Sequence, residues 1–542
     1  MNLRLTSSAL ALAAMTAPAF ADVTSEQVWQ SWVDYYSSAG YQIKEGKREQ
    51  AGDTLTITDV TVSTEDGDPA TTGQMTLTVP QITMTETGDG KVRTVYADQM
   101  TGSFSGTDSD ARDFSANFTV DVAGNAMVTS GAAEDMTHEL DYPVMDIALT
   151  TMKSDGKEQP LPIKVSLKNS TGKMHNVAGT TAKYDYDFKS ESVTFTGDVT
   201  DEGGDKVKFS GDMAGLDMVG KMSLPSGSDL AKDLNAALKA GLILDGTVKF
   251  GATAAMFDFA AEPVDGQAQT AAGKYDAKGF DLTFAMSQDG LTYQGNSGQA
   301  AFELTTSDMP FPIKYAADSA SFDLQLPVMK ADAAQPFKFA YSLGGLTLGD
   351  EIWGLFDAQG VLPRDPASLD LDLTGLMQVN ADLFDPATMA EQVMPGAEPA
   401  DTDMDSAETP AVPEAGTTDT AAPDALPEAA PEPLLPTEMT INQFALNMLG
   451  AKITATGELK APEGSDIATA PPVGQIKAEY EGVNGLIDKL AGMGLIPEDQ
   501  IMGVRMMLAM FAKPVTEGED KLTTDLEFKE DGSIFANGQQ IQ

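Results

Sequence analysis

Phe114-Ser115-Ala116-Asn117-Phe118-Thr119-Val120-Asp121-Val122 settles the fold class. Phe114, Ala116, Phe118, Val120 and Val122 take alternate positions, with Ser115, Asn117, Thr119 and Asp121 between them. Successive side chains of a strand point to opposite faces, so this spacing turns one face to a core and the other to water. The period recurs in both directions along the chain. Leu55 and Ile57; Met75, Leu77 and Val79; Ile163, Val165 and Leu167; Tyr184, Tyr186 and Phe188; Phe280, Leu282, Phe284 and Met286; and Phe322, Leu324, Leu326 and Val328 all repeat it. Gly88-Asp89-Gly90, Gly203-Gly204 and Asp289-Gly290 punctuate these runs as turns. One-sided alternation with tight turns belongs to antiparallel sheet. The region from about 41 to 390 is therefore predicted to be mainly β, an extended, curved, mostly antiparallel sheet.

Helical spacing interrupts the pattern. Thr24 and Gln27 form a capping-box pair ahead of Val28, Trp29, Trp32, Val33 and Tyr36, and Gly40 follows, so an N-terminal helix docks this stripe on the core. Ser228 as N-cap, with Leu230, Leu234 and Leu238 and a stop at Gly241, predicts one mid-chain helix covering the apolar face or an end of the sheet. Two C-terminal helices follow the same logic. Asn484 caps the first, which carries Leu486, Ile487 and Leu490; Pro497 opens the second, through Ile501, Val504, Leu508 and Phe511. Around them Phe444, Leu446 and Met448, then Ile453 and Ala455, then Leu522, Leu526 and Phe528 read as strands, with turns at Asp531-Gly532 and Asn537-Gly538.

The composition breaks near Met394. Nine prolines fall between Pro395 and Glu438, and no Lys or Arg occurs between Arg364 and Lys452. Such a stretch cannot build a core. The chain thus divides into a cleaved signal peptide over 1–21, a β-rich domain over 22–393, a disordered acidic Pro/Ala-rich linker or loop insertion over 394–437, and a C-terminal β-helix-helix-β segment over 438–542 that completes the same sheet. Within the insertion, Asp401, Asp403 and Asp405 mimic the opening of a calcium loop, but its glycine and closing glutamate are missing.

The signal reading rests on Arg4, the apolar run Leu5 to Met15, and Ala19-Phe20-Ala21 before Asp22. It places the mature chain in the periplasm, with no transmembrane segment after cleavage, since no later run approaches the roughly 18 apolar residues of a spanning helix. The composition, 42% hydrophobic and 21% charged over 542 residues, is that of a folded chain. With no Cys and only His138 and His175, thiolate chemistry is absent and imidazole chemistry nearly so. The formal charge of −48 repels polyanions, which excludes nucleic acid as an expected partner. An outer-membrane barrel shares the signal and the alternation, but 7% aromatics and interior helices speak against its girdled wall.

No nucleophile elbow, phosphate loop, dinucleotide fingerprint or zinc-protease motif occurs, and no cofactor or metal site is expected. Carboxylate pairs such as Asp66 and Asp68, or Asp108 and Asp110, sit in turn-like stretches and are unremarkable among 82 acids. Two segments stand out. Met502, Met506, Met507 and Met510, with Phe511, give the last helix a second apolar face, which reads as burial on two sides or as an adaptable contact for a hydrophobic ligand. Trp353-Gly354-Leu355-Phe356-Asp357 and Leu362-Pro363-Arg364-Asp365-Pro366-Ala367 read as a rigid turn, in which Arg364 and Asp365 pair with each other or with Asp357.

On those residues, the following strand Leu369, Leu371 and Leu373, and the run from Gly482-Val483-Asn484-Gly485-Leu486 through Met507, the chain resembles the uncharacterised alphaproteobacterial envelope proteins grouped as domain of unknown function two-one-two-five. Its strand, two-helix and strand ending is also similar, more distantly, to AsmA-type envelope proteins. That second resemblance implies a long, curved sheet with an apolar inner groove and a role in moving or holding lipids. AsmA-type proteins usually keep an N-terminal membrane anchor, from which the cleavable signal departs. The resulting expectation is a non-enzymatic periplasmic cell-envelope protein that holds lipid or another apolar ligand in a sheet groove. Its alternative is a structural or interaction protein of the envelope with a filled core and no ligand.

Overall fold

The computed structural model describes residues 22–386, 388 and 432–542, apart from 39, 65–72, 108–112, 155, 202, 229, 231–232, 263–268 and 468. The signal-peptide segment, nearly all of the acidic insertion, the Asp66/Asp68 and Asp108/Asp110 pairs and the Asp401 motif lie outside those residues. What remains is strand-rich, paired antiparallel, with five helices among the described residues: α1 (Ser25–Ser38), α2 (Leu234–Lys239), α3 (Asp350–Phe356), α4 (Val483–Gly492) and α5 (Glu498–Phe511). The chain forms two compact units that divide at Glu191 and Ser192.

In the first unit the Phe114 run is a strand, Asp113–Asp121, paired with Asp135–Ser154 so that Phe118 faces Leu149 and Val120 faces Ile147. α1 starts with the reciprocal capping box: Thr24 N–H donates to Gln27 Oε1 at 2.9 Å and Gln27 N–H to Thr24 Oγ1 at 3.3 Å. Its stripe docks as expected. Val28, Trp29 and Trp32 are buried in one core with Leu55, Ile57, Ile82, Met84 and Met136. Each large side chain so buried contributes roughly 1.5–3 kcal/mol. Trp29 keeps its indole N–H satisfied, donating to Glu45 Oε1 at 2.6 Å.

His138 lies fully buried in this unit, its Nδ1 2.8 Å from Thr129 Oγ1 and its Nε2 without a hydrogen-bond partner among the described residues. Burial disfavours the imidazolium and pulls its pKa down to about 4. The unfolded chain, near 6.5, takes up the proton first, so the stability held by neutral His138 is whole above about pH 6.5 and lost as the pH falls toward 4. His175, raised by its hydrogen bond to Asp135, contributes stability that is fully present throughout that window and is lost only as the pH rises through its raised pKa. The His138 contribution, read in urea unfolding as the difference between the native chain and a His138→Gln variant, is therefore expected to fall by on the order of 3 kcal/mol between pH 7 and pH 4, on top of the loss from carboxylates such as Glu45 and Asp382 whose pKa values are lowered. An unchanged slope in the variant would dismiss His138 as a source.

The second unit is laid out as two rows of strands joined along a seam. Lys206–Met213, Thr253–Ala260, Thr270–Ala277, Ala300–Thr306 and Ile313–Ala317 pair in one row. Leu216–Pro225, Ile243–Phe250, Phe280–Ser287, Gly290–Ser297 and Ser319–Leu326 pair in the other. The chain passes between rows through short junctions at Ala214-Gly215, Gly251-Ala252, Lys278-Gly279, Gly298-Gln299 and Asp318. Hydrogen bonds continue along the seam: Ala214 N–H to Ala252 O at 2.8 Å, Gly298 N–H to Gly279 O at 3.1 Å, Asp318 N–H to Gly344 O at 2.8 Å.

Met213 and Leu216, like Ala277 and Phe280, are three positions apart, which in a regular strand puts them on opposite faces. Left-handed backbone at Gly215 and Gly279 absorbs the extra residue as a bulge does, so both rows keep their apolar sets on one side. Past the seam Gln335–Leu348, Ala367–Val379, Leu434–Met448, Ala451–Lys460, Val473–Glu481 and Lys521–Phe528 pair in turn. The strands on either side of residues 380–433 are thus direct neighbours, Val379 facing Leu434.

Three local expectations need correction. The mid-chain helix begins at Leu234, with Asp233 as its cap accepting from Ala236 N–H at 2.7 Å, because Ser228 still belongs to the turn after Pro225. α4 is capped from afar: the Asp520 carboxylate takes the N–H groups of Asn484 and Gly485 at 3.2 and 2.8 Å, with Gly482 at the cap position. Trp353 lies in helix α3, and the rigid turn follows it. There the buried Asp357 carboxylate accepts from Val361 and Leu362 N–H at 2.7 and 3.0 Å. Arg364 pairs with Asp350 at 2.9 Å and lies over the Trp353 ring, so neither Asp365 nor the Asp357 carboxylate is its partner. Asp357→Ala strands two turn N–H groups and is expected to cost about 2–4 kcal/mol in urea unfolding; a loss below about 1 kcal/mol would contradict that role.

Candidate functional site

Register partners in the second unit sort side chains by polarity. Leu216, Phe250, Phe280, Ser297, Ala320, Leu343 and Leu369 stand side by side across successive strands. Leu446, Ile453, Tyr480 and Leu522 extend the line. Two positions along lie Met218, Val248, Leu282, Gly295, Phe322, Tyr341 and Leu371. The intervening positions, Asp217, Lys249, Asp281, Asn296, Ser321, Ser342 and Asp370, form the other face. Charge is thereby confined to one side, where Lys338 pairs with Asp323 at 2.8 Å and Ser342 donates to Asp370 at 2.6 Å.

The apolar side is lined thinly. Phe195 stands across from Gly211, Phe209 from Gly197, Phe257 from Gly273 and Phe322 from Gly295. In each pair a Cβ on the glycine would overlap the ring, so the ring lies down over its neighbour's backbone. Much of this face stays uncovered: Tyr275, Tyr293 and Phe339 are 39–40% exposed and Tyr315 45%. Full burial comes at the strand ends away from the seam, at Leu224, Leu238, Leu242, Met286, Val328 and Val379. α2 is fastened at that end by Asp382, which pairs with Lys239 at 2.5 Å and accepts from Asn235 at 3.2 Å. A cavity of about 500 Å³ also opens in this unit, but Asp245, Thr292, Gln325, Lys338 and Thr374, register partners on the polar face, line it together with Leu244, Met286 and Leu326, so it is not part of the apolar face.

The methionines named from sequence are on the surface. Met502, Met506, Met507 and Met510 are 53–73% exposed, while Ile501, Val504, Leu508 and Phe511 form the half-buried side of α5. Burial on two sides is thus corrected: the helix docks by one face, and its thioether stripe is free to meet another surface. None of these residues lines the 500 Å³ cavity. Sequence reasoning missed the glycines opposite phenylalanine. Their signal was present, since Gly197 and Gly211 fall in phase with the apolar residues of their strands.

Among the described residues no cluster of His, Asp and Glu is placed to hold a metal ion, and no helix is long and apolar enough to cross a membrane. The arrangement offers apolar area and aromatic rings, chemistry that retains a molecule by desolvation. A family model described as an uncharacterised protein conserved in bacteria, DUF2125, matches residues 268–538, within the second unit. No curated protein matches the chain.

Proposed function

We propose, for a chain that belongs to the DUF2125 family and on the strength of the uncovered apolar face of its second unit, that the protein holds lipid or a similar apolar molecule against that face. It acts as a non-enzymatic component of the cell envelope, working in the periplasm. One observation carries the reading: register partners from Leu216 to Leu371 line up apolar side chains, among which the Tyr293, Phe339 and Tyr341 rings remain 36–40% exposed, with the charged residues of these strands on the opposite side. Exposed apolar area of this extent marks an interaction surface. Acyl chains suit it, since they need area and no counter-charge.

The exposed methionine stripe of α5 favours a second reading, an envelope interaction protein that meets a partner through Met502, Met506, Met507 and Met510. A photoactivatable fatty acid separates the two. Labelled peptides from Phe280–Ser287 and Ser319–Leu326 are expected. Label confined to Glu498–Phe511 would transfer the contact to α5, and no label at all would reject lipid binding.

A further inference from the structure

The first unit holds a cavity of its own, about 450 Å³, between the last turns of α1 and the strands Tyr41–Lys44, Thr54–Thr64, Gln74–Glu86 and Asp135–Ser154. Its volume is in the range of small-molecule sites, roughly 300–1,000 Å³. Among the described residues no charged side chain lines it. Trp32, stacked on Tyr96 at 5.8 Å between centroids, forms a flat wall, and Met100 and Met145 supply deformable ones.

Its polar groups are phenols. The Tyr186 hydroxyl donates to the Tyr35 hydroxyl at 3.3 Å, whereas those of Tyr36, Tyr96 and Tyr142 have no hydrogen-bond partner among the described residues. These three rings share one neighbourhood: after burial, Tyr142 and Tyr36 each help raise the Tyr96 pKa, and Tyr36 that of Tyr142, which is pushed up to about 12. All three remain protonated across the physiological range and present O–H donors in an uncharged, aromatic chamber. Tyr36 is 40% exposed and can meet water, whereas the half-buried Tyr96 and Tyr142 donors call for an acceptor inside the chamber.

We infer that this cavity is a binding site, separate from the face of the second unit, for a neutral amphiphile: an apolar body carrying a hydroxyl or carbonyl oxygen that accepts from Tyr96 and Tyr142. A carboxylate lipid is disfavoured, because no cationic side chain among the described residues lines the walls to offset its desolvated charge.

Bromodecanol and bromodecanoate, titrated at pH 8 against the full chain, test this through quenching of tryptophan fluorescence, since Trp32 lines the chamber. The alcohol is expected to bind at least about tenfold more tightly than the carboxylate. Tyr96→Phe with Tyr142→Phe should weaken the alcohol about tenfold without weakening bromodecane. Quenching by the alcohol should survive Tyr293→Lys with Phe339→Lys, which alters the second unit alone, so failure of one site is visible independently of the other. Equal affinity for alcohol and carboxylate, or an unchanged alcohol affinity in the double phenylalanine variant, would overturn the assignment.

Discussion

Tyr293→Lys combined with Phe339→Lys is expected to strip lipid from the second unit while leaving its fold intact. Tyr293 and Phe339 flank Leu324 as register partners on the apolar face and are 39% and 40% exposed. Lysine at such positions keeps its ammonium in water while its stem covers the neighbours, so unfolding free energy should fall by less than about 2 kcal/mol. Ligand retention should fall by more than about tenfold, because a bound chain would desolvate two cations. A filled core answers differently. There the same charges would be buried, and the variant would lose several kcal/mol and unfold before any binding assay. Urea midpoint and retained lipid, measured together, give opposite patterns for the two cases.

Gly251→Ala is expected to carry the largest stability loss of any single methyl addition considered in this unit. A Cβ at Gly251 would overlap the Ala214 carbonyl, which is backbone and cannot rotate away. The seam depends on that approach, since Gly251 N–H donates to Gly215 O at 3.1 Å and Ala214 N–H to Ala252 O at 2.8 Å. A cost of at least about 3 kcal/mol follows, with both strand rows affected. Gly354→Ala in α3 is the matched control. Nothing lies within 4 Å of its Cβ position, and alanine inside a helix stabilises by up to about 1 kcal/mol. Equal stability of the two variants would mean that the seam yields, and that the close packing at Gly251 is not required.

Much of this architecture was legible because period two is a strong local signal. Phe114 to Val120, Phe280 to Met286 and Phe322 to Leu326 each fall in strands. The reciprocal bonds of Thr24 and Gln27 likewise follow from residue type alone. Other features were hidden for physical reasons. A lone glycine between two strand-like runs, as at Gly215 or Gly279, does not say whether the chain reverses or passes through a bulge into the next row. α3 is too short for helical periodicity to show, and its cap position, Gly349, makes no side-chain bond. Asp520 lies 36 residues from Asn484, so its capping role depends on the tertiary fold.

The candidate site was legible by half. Alternation identifies the apolar face, yet whether anything covers that face is a property of tertiary packing. The same limit applied to α5, where an apolar circumference suggested burial and the fold left Met502 73% exposed. The phenol chamber was less visible still. Tyr36 belonged to a stripe that reads as core, and Tyr96 and Tyr142 reach it from strands far apart in sequence.

Native mass spectrometry of the full-length gene product, purified without detergent from the cells that make it and paired with analysis of an organic extract, tests the central claim most directly. Near-stoichiometric lipid or another apolar molecule, lost from the Tyr293→Lys with Phe339→Lys variant, is the predicted result. A bare-chain mass and an empty extract would contradict it.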